Sequence, residues 1–274
     1  MKERIKLLIT VKTYPIPSAK YGELVCTAGV TEDRRFIRLY PVNFRDQPFS
    51  KQYQKYQWIE VEAERHTGRD SRKESYRPDC DTLVTLGEPI ATHRGDWSER
   101  GKFVLPLRSP SLESLRDQRE ADKTSLGIFR PKIVHDLVVE PTEREWKKSF
   151  LQELRQARLW DDRSVSREPP RKVPYKFKYF FVCDDPRCTG HRMMNEDWEL
   201  GALYWRLIDA GATELEAVQK VREKFLDELC GPDRDTHFFV GTILSHPKNW
   251  VVIGVYWPKR QMGNTRSQQM LFDD

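Results

Sequence analysis

A short segment that contains two cysteines and a histidine, Cys183–His191, constrains this chain more than any other part of its sequence. Cys183, Cys188 and His191 stand within nine residues, on a turn between a strand-like and a helix-like segment. Thiolate sulfur and imidazole nitrogen are preferred ligands of tetrahedral zinc, and a turn that contains proline and glycine brings them together. The sequence therefore predicts a zinc site with three local ligands and a fourth from elsewhere.

The fourth ligand decides whether this zinc is structural or catalytic. Cys230 ends a predicted helix and His237 begins the next strand, so either can fold back onto the turn; Asp197 is a further alternative. We favour Cys230 and a closed site that contributes folding energy only, because two thiolates are typical of structural zinc. The metal-free alternative is that two buried cysteines and a polar histidine occur together by chance.

A catalytic interpretation rests on the acidic pair that follows the turn. With His191, Asp197 and Glu199 would hold magnesium or activate water for phosphodiester cleavage, since carboxylates suit hard cations. Acidic residues in a first helical turn are, however, ordinary, because they complement the helix dipole, and residues two apart do not share a helix face. We therefore predict a non-enzymatic protein, with a metal-dependent nuclease that uses these three residues as the alternative.

Residues 1–108 consist mainly of short segments rich in β-branched and aromatic residues, separated by Pro, Gly, Asp and Ser. This pattern predicts short strands that form a small barrel or sandwich. A helix is predicted at 111–122, with Ser111 as its N-cap. The strands predicted before this helix are Arg4–Val11, Glu23–Ala28, Phe36–Val42, Trp58–Glu64, Thr82–Leu86 and Lys102–Leu107.

The rest of the chain predicts a second domain, which makes the fold class α+β. Residues 161–174 are basic and rich in proline, so we expect a linker there. Residues 175–258 contain a strand, two helices capped by Asn195 and Thr213, and a hairpin, which gives a βααββ domain that the zinc would stabilise. Residues 259–274 are expected to form a flexible tail.

One N-terminal strand carries alternating aromatic and basic side chains. Alternation places Phe36, Arg38 and Tyr40 on one face, and such a row binds single-stranded nucleic acid when rings stack on bases and arginine meets phosphate. The alternative is a strand buried on both faces, in which Arg38 forms an internal ion pair. The predicted nucleic-acid contacts are Arg34, Arg35, Phe36, Arg38, Tyr40 and Lys55.

The last residues predict a protein partner. Gln268, Leu271 and Phe272 resemble the short peptide with which bacterial DNA-processing proteins bind the replicative sliding clamp. Gln269 replaces the leucine that is usual at the second position of that peptide. Exposed apolar side chains on a tail are otherwise explained by docking on the chain's own domain.

The composition is compatible with these interpretations and indicates which cellular compartment to expect. The net charge of +5 permits an anionic partner without requiring one. Five cysteines, an odd number, suit a reducing compartment better than a disulfide framework. No apolar run has the length of a membrane helix, and the N-terminus lacks a signal-peptide pattern, so we expect a cytoplasmic protein without membrane contact.

Several short sequence segments together indicate a resemblance to a known family. Over most of residues 5–258 the chain resembles bacterial proteins described as containing a dual OB domain. The resemblance implies an N-terminal pair of OB-like barrels within residues 1–160, a fold that commonly binds oligonucleotides, and it supplies no catalytic residues. We therefore predict an accessory protein that binds single-stranded DNA or RNA in a nucleic-acid-processing or phage-defence complex; a purely structural subunit is a further alternative. The matching phrases are Glu23–Gly29, Arg38–Val42 with Phe44 and Arg45, Pro174–Tyr179 and Cys183–Glu199.

Overall fold

The N-terminal part of the chain closes into a five-stranded β-barrel. A computed structural model describes residues 2–18, 22–68, 70, 72–149, 151–152 and 168–260. The barrel strands follow the order β1-β3-β4-β6-β5, and β5 pairs back with β1; β4 and β6 are parallel and the other neighbours antiparallel. This confirms the predicted small barrel and gives it OB-like topology. The N-terminal strands are β1 (Lys2–Lys12), β2 (Ile16–Ser18), β3 (Gly22–Val30), β4 (Phe36–Val42), β5 (Trp58–Arg65), β6 (Ser75–Pro78) and β7 (Val84–Leu86).

The barrel closes around an apolar interior that the strand alternation supplies. Leu7 and Ile9 of β1 and Leu39 of β4 are fully or almost fully buried in one cluster. A register shift in β1 provides the local bend that closure requires. Gly29 faces β1 so closely that a Cβ there would lie 2.3 Å from the carbonyl oxygen of Leu8, so only glycine fits.

Beyond the barrel, the described residues form several helices and two further sheets. One sheet has the order β10-β11-β12 and the other the order β14-β13-β9-β8. None of the helices within the described residues is long and apolar enough to span a bilayer. The elements are α1 (Ser98–Val104), β8 (Arg108–Ser109), α2 (Leu112–Asp122), β9 (Leu126–Phe129), β10 (Ile133–Pro141), β11 (Tyr175–Val182), β12 (His191–Met194), α3 (Trp198–Asp209), α4 (Glu214–Arg222), a π-helical extension of α4 (Glu223–Glu228), β13 (His237–Thr242) and β14 (Trp250–Tyr256).

Most of the predicted C-terminal elements are present. The predicted βααββ order is found, with β12 as an additional strand and Asp197, not Asn195, as the cap of α3. Thr213 caps α4 through a capping box, as predicted. The predicted strand Lys102–Leu107 is wrong, because a helix begins at Ser98, whose N–H and hydroxyl group both donate to Asp96, and continues as a 3₁₀ turn through Leu107.

Strand pairing joins the two sides of the predicted linker. Strand β10 pairs along its length with β11, so residues before 161 and after 174 share one sheet. Residues 161–167 lie outside the described part of the chain. The barrel and the C-terminal region also share a core, in which Val11 and Ala28 of the barrel pack with Leu126, Phe239 and Ile253.

Helix α3 packs against the barrel at a glycine. A Cβ at Gly201 would lie 2.2 Å from the Cδ2 atom of Tyr14. We expect Gly201→Ala to lower the free energy of unfolding by about 1–3 kcal/mol through this clash, although alanine favours an isolated helix by about 1 kcal/mol. Urea unfolding followed by tryptophan fluorescence measures the change.

The matched control for this contact is a double-mutant cycle. In a Tyr14→Ala background the clash is absent, so Gly201→Ala should cost much less or stabilise the helix. Equal costs in the two backgrounds would show that the Tyr14 ring does not set the requirement for glycine.

Candidate metal centre and predicted nucleic-acid face

Four potential metal ligands converge between helix α2 and the turn after β11. They are Glu113, Cys183, Cys188 and His191, and their ligand atoms all lie within 4.8 Å of one another. His191 Nε2 is 2.7 Å from Glu113 Oε1 and 3.4 Å from Cys188 Sγ. Three of the four residues are buried and Cys188 is partly buried. The structure therefore brings the three predicted local ligands together, and the fourth group is a carboxylate from a distant helix.

Local hydrogen bonds hold the turn against the start of α2. Ser111 caps the helix, as predicted, and its Oγ also donates to Asp185 Oδ2 at 2.8 Å. Arg187 joins Asp185 to Asp117 of the same helix. This arrangement fixes the first turn of α2, which carries Glu113, beside the cysteines.

The donor set suits a soft divalent cation such as zinc. Zinc–ligand lengths of 2.0–2.3 Å place tetrahedral donors roughly 3.3–3.8 Å apart. The 3.4 Å between Cys188 Sγ and His191 Nε2 lies in this range, whereas Glu113 Oε1 and His191 Nε2, at 2.7 Å, would have to move apart to bind one ion. Burial lowers the pKa of His191, which favours the neutral imidazole that a metal requires. Glu113 Oε2 is buried without a hydrogen-bond partner among the described residues, as expected for an oxygen that faces a cation.

The other predicted ligands lie in different surroundings. Cys230 Sγ donates to the carbonyl oxygen of Phe225. His237 is fully buried, and its Nδ1 lies 2.9 Å from the carbonyl oxygen of Asp235. Neither residue, nor Asp197, belongs to the four-residue group, so the structure gives Glu113 the place that we predicted for Cys230.

The acidic pair of the alternative nuclease binds a lysine. Lys55 Nζ lies 2.9 Å from both carboxylate oxygens of Asp197 and 3.0 Å from Glu199 Oε2. Asp197 is also the N-cap of α3, so it and Glu199 meet at one cation although a regular helix would separate them. No group of three or more potential metal ligands in the described residues joins this pair to His191. The predicted catalytic triad is therefore divided between two clusters.

Burial and neighbouring charges have opposite effects on the pKa values of Asp197 and Lys55. Burial raises the pKa of Asp197 to about 6, against the opposing effect of Lys55. The pKa of Lys55 lies above its ordinary value, because the two carboxylates outweigh the desolvation of its ammonium. The cluster joins the barrel to α3 as an inter-region ion pair, and Lys55 is not available to a phosphate.

Two family models together cover almost the whole chain. One, described as a domain of unknown function (DUF8757), matches residues 108–274. The chain belongs to the DUF8757 family. A second domain of unknown function, DUF8758, matches residues 3–106, which include the barrel. A search of the curated proteins finds no match.

The boundary between the two family models leaves the candidate metal centre entirely within one of them. All four ligand residues lie within the DUF8757 region, whereas Lys55 belongs to the DUF8758 region. The DUF8758 match ends at residue 106 and the DUF8757 match begins at residue 108, the first residue of β8. The candidate metal site is thus internal to DUF8757, and the lysine cluster lies between the two regions.

Arg38 does not lie on an exposed face of the barrel, contrary to our prediction, because it is buried between the DUF8758 and DUF8757 regions. Only 1% of its surface is exposed. Its Nη1 donates to Ser125 Oγ at 2.6 Å and to Ser75 Oγ at 3.2 Å, and its Nη2 donates to the Ser125 carbonyl oxygen at 2.9 Å. Glu74 accepts from Ser125 in turn. Arg38 is therefore buried, as the alternative predicted, but its direct partners are serines and not the acidic partner of an internal ion pair.

The reason for this burial is the position of the DUF8757 region on the barrel. In OB folds the second and third strands present the ligand-binding face, and here these strands are β3 and β4. Strand β9, whose position the sequence did not reveal, contacts this face through Leu126 and places Ser125 against Arg38. The sequence pattern of β4 was identified correctly, but its outward face is covered.

The remaining predicted contacts lie at the rim of this interface. Arg34 and Arg35 are exposed, and Arg35 pairs with Asp33. Phe36 is partly buried against the shared core, and Tyr40 is also partly buried. Gln268, Leu271 and Phe272 of the predicted clamp-binding peptide lie outside the described residues, so a protein partner stays a prediction.

A cleft of about 600 Å³ runs along the rim between the two regions. Four cations of the described residues line it. Lys73 and Glu74 in its lining belong to the connection between β5 and β6, which corresponds to the loop between the fourth and fifth strands that takes part in ligand binding in OB folds. Arg65 and Arg108 are exposed, and their side chains form no hydrogen bond or ion pair within the described residues. The lining residues that bear on binding are Arg35, Phe36, Arg65, Lys73, Tyr76, Arg108, Leu115 and Gln118.

Proposed function

We propose that this protein binds single-stranded nucleic acid in the cleft between its OB-like barrel and its DUF8757 region. The observation that carries the proposal is the pair of exposed arginines, Arg65 and Arg108, which face one cleft from opposite regions and have no acidic partner in the described part of the chain. Two cations at the rim of a groove meet successive phosphates of one strand, and Phe36 offers a partly exposed ring beside them.

The composition of the cleft supports an anionic ligand. Arg35 and Lys73 add two further positive charges, although each has a surface ion pair, with Asp33 and Asp122 respectively. Exposed pairs of this kind contribute little and exchange readily with a phosphate. Among the described residues that line the cleft, Glu74 alone carries a carboxylate, and it is buried and accepts hydrogen bonds from Ser125.

A structural zinc would support this cleft. Helix α2 provides Glu113 to the metal group, and its next turns provide Leu115 and Gln118 to the cleft wall. A closed site with two thiolates, one imidazole and one carboxylate holds zinc without a position for substrate. The metal then fixes one wall of the groove, and the protein acts by binding within a nucleic-acid-processing complex, in agreement with the resemblance to dual OB proteins.

Salt-dependent binding tests the proposal. We expect the full chain to bind a fluorescent single-stranded oligonucleotide, and Arg65→Ala/Arg108→Ala to weaken binding at least about tenfold at low salt. Because each lost phosphate contact removes about 0.7 from the slope of log K against log salt, that slope should fall by about 1.4. Fluorescence anisotropy with DNA and RNA of the same sequence gives both quantities.

The control carries the same loss of charge at other exposed positions. Lys176→Ala/Lys248→Ala removes two lysines outside the cleft and should change binding much less. An equal loss in both double variants would show general electrostatic attraction. No binding at low salt would leave the purely structural subunit as the interpretation of this chain.

A further inference from the structure

A second cleft, with a volume of about 870 Å³, lies next to the first cleft, to which we assign oligonucleotide binding. Only the 3₁₀ turn Leu105–Leu107 separates them, since Leu105 lines the second cleft whereas Pro106 and Leu107 line the first. One wall of the second cleft comes from residues 94–105 of the DUF8758 region, and residues 256–260 of the DUF8757 region contribute to the other. The two clefts therefore follow one boundary between the two regions.

Positive charge exceeds negative charge in the second cleft. The two carboxylates among its described lining residues are both engaged: Asp96 accepts two hydrogen bonds at the start of α1, and Asp235 Oδ1 lies 2.9 Å from Arg130 Nε. The side chains of Arg94 and Lys259 are exposed and form no hydrogen bond or ion pair within the described residues. These two cations are available to an anionic ligand. The five cations of the lining are Arg94, Lys102, Arg130, Lys259 and Arg260.

The backbone holds Arg94 at this cleft in an unfavourable conformation. Its φ is +52°, that of Gly95 is +83°, and the Asp96 N–H donates to the carbonyl oxygen of His93 at 2.9 Å. In such a two-residue turn, Asn, Asp or Gly is the usual residue at the position of Arg94. Residues other than glycine are strained in this left-handed region, and strained residues are concentrated at ligand-binding sites.

Strands β8 and β9 connect the positive charges of the two clefts. Arg108 of the first cleft pairs with Ile128 of β9, and Arg130 of the second cleft follows two residues later. Because neighbouring strands are about 4.8 Å apart and rise about 3.3 Å per residue, the Cα atoms of the two arginines are roughly 8 Å apart. The phosphates of one extended strand can contact both side chains. The exposed ion pair of Arg130 with Asp235 exchanges readily with a phosphate.

We propose that a single strand bound in the first cleft continues across the Leu105–Leu107 turn into the second, so that the two clefts form one track. The proposal rests on the function proposed above and adds the length of the ligand to it. A strand that fills both clefts gains phosphate contacts at Arg94 and Lys259. We therefore expect a site of roughly 6–10 nucleotides, within the range of about 4–16 that OB-fold proteins occupy.

The dependence of binding on oligonucleotide length tests the proposal. We compare fluorescent single strands of about four and about twelve nucleotides, by anisotropy at several salt concentrations. Arg94→Asn/Lys259→Gln removes both charges and gives the turn a residue that it accommodates without strain. This variant should weaken binding of the longer strand at least about tenfold at low salt and lower its salt slope by about 1.4, since each phosphate contact contributes about 0.7. Binding of the shorter strand should not change.

The outcomes separate this proposal from the proposed function. An equal loss for both lengths, or no loss for the longer strand, would overturn the track and leave binding in the first cleft intact. Absence of binding at either length would overturn both proposals. The control variant Lys176→Ala/Lys248→Ala should leave the difference between the two lengths unchanged.

Photo-cross-linking to the wild-type chain gives a result that depends on no variant. A strand of about twelve nucleotides with a photoreactive base at one end or the other is bound and irradiated, and mass spectrometry locates the adducts. We expect one end to label residues 94–105 or 256–260, and the other end to label residues that line the first cleft. Adducts from both ends in the first cleft alone would contradict the track.

Discussion

Cys188→Ser is expected to release the bound metal and to lower the free energy of unfolding by more than about 4 kcal/mol, since loss of a structural metal is among the largest single-residue effects. The wild-type chain should contain one zinc ion, held by Glu113, Cys183, Cys188 and His191. Without zinc, the buried carboxylate and imidazole remain close together with no cation between them. Elemental analysis measures the metal, and thermal unfolding measures the stability.

The other cysteines provide matched controls. Cys230→Ser and Cys26→Ser make the same chemical change at cysteines outside the metal group, so both variants should retain zinc. Loss of zinc from Cys230→Ser would restore the ligand that we predicted from the sequence. A wild-type chain that folds with no bound metal would contradict the metal site itself.

The second large effect is expected at Arg38. Arg38→Met should lower the free energy of unfolding by about 3–5 kcal/mol, because it removes a buried charge whose hydrogen bonds join the two regions. Ser75 and the carbonyl oxygen of Ser125 would each lose a donor, and the negative charge of Glu74 would remain buried without the nearby guanidinium. Urea unfolding followed by fluorescence measures the loss.

An exposed neighbour supplies the control for this prediction. Arg34→Met changes the same side chain at an exposed position of the preceding turn, and we expect a change within about 0.5 kcal/mol. If Arg38→Met were equally mild, Arg38 would not be an essential part of the interface. If Arg38→Met abolished oligonucleotide binding without loss of stability, this would support the nucleic-acid contact that we predicted for Arg38 from the sequence.

Local sequence signals predicted much of the fold. Alternation and turn residues located β1, β3, β4 and β5, and Ser111 and Thr213 were correctly identified as helix caps. These signals work because caps and alternation act within a few residues along the chain. The same reasoning missed β9, whose four residues are all buried and show no alternation.

The two candidate sites depend on longer-range contacts. Glu113 joins Cys183 although 70 residues separate them, and no pattern near either residue indicates the pairing. Arg38 meets Ser125 across 87 residues. Lys12 meets Trp198 only because α3 packs on the barrel. Such contacts depend on how the helices and strands pack against one another. The periodicity of side chains along the sequence contains no information about this packing.

The sequence by itself therefore determined a turn that carries Cys183, Cys188 and His191, most strands of the barrel, and a helical pair of which only the second helix had its cap, Thr213, identified correctly. The tertiary structure decided that Glu113 completes the group and that Arg38 is buried. The physical reason is that metal-ligand residue types and strand alternation are local patterns, visible within a few residues of the sequence. Burial of a side chain depends instead on which distant part of the chain packs against it. In this chain the DUF8757 region covers the strands that would otherwise face a ligand, and it moves the candidate binding surface to the rim.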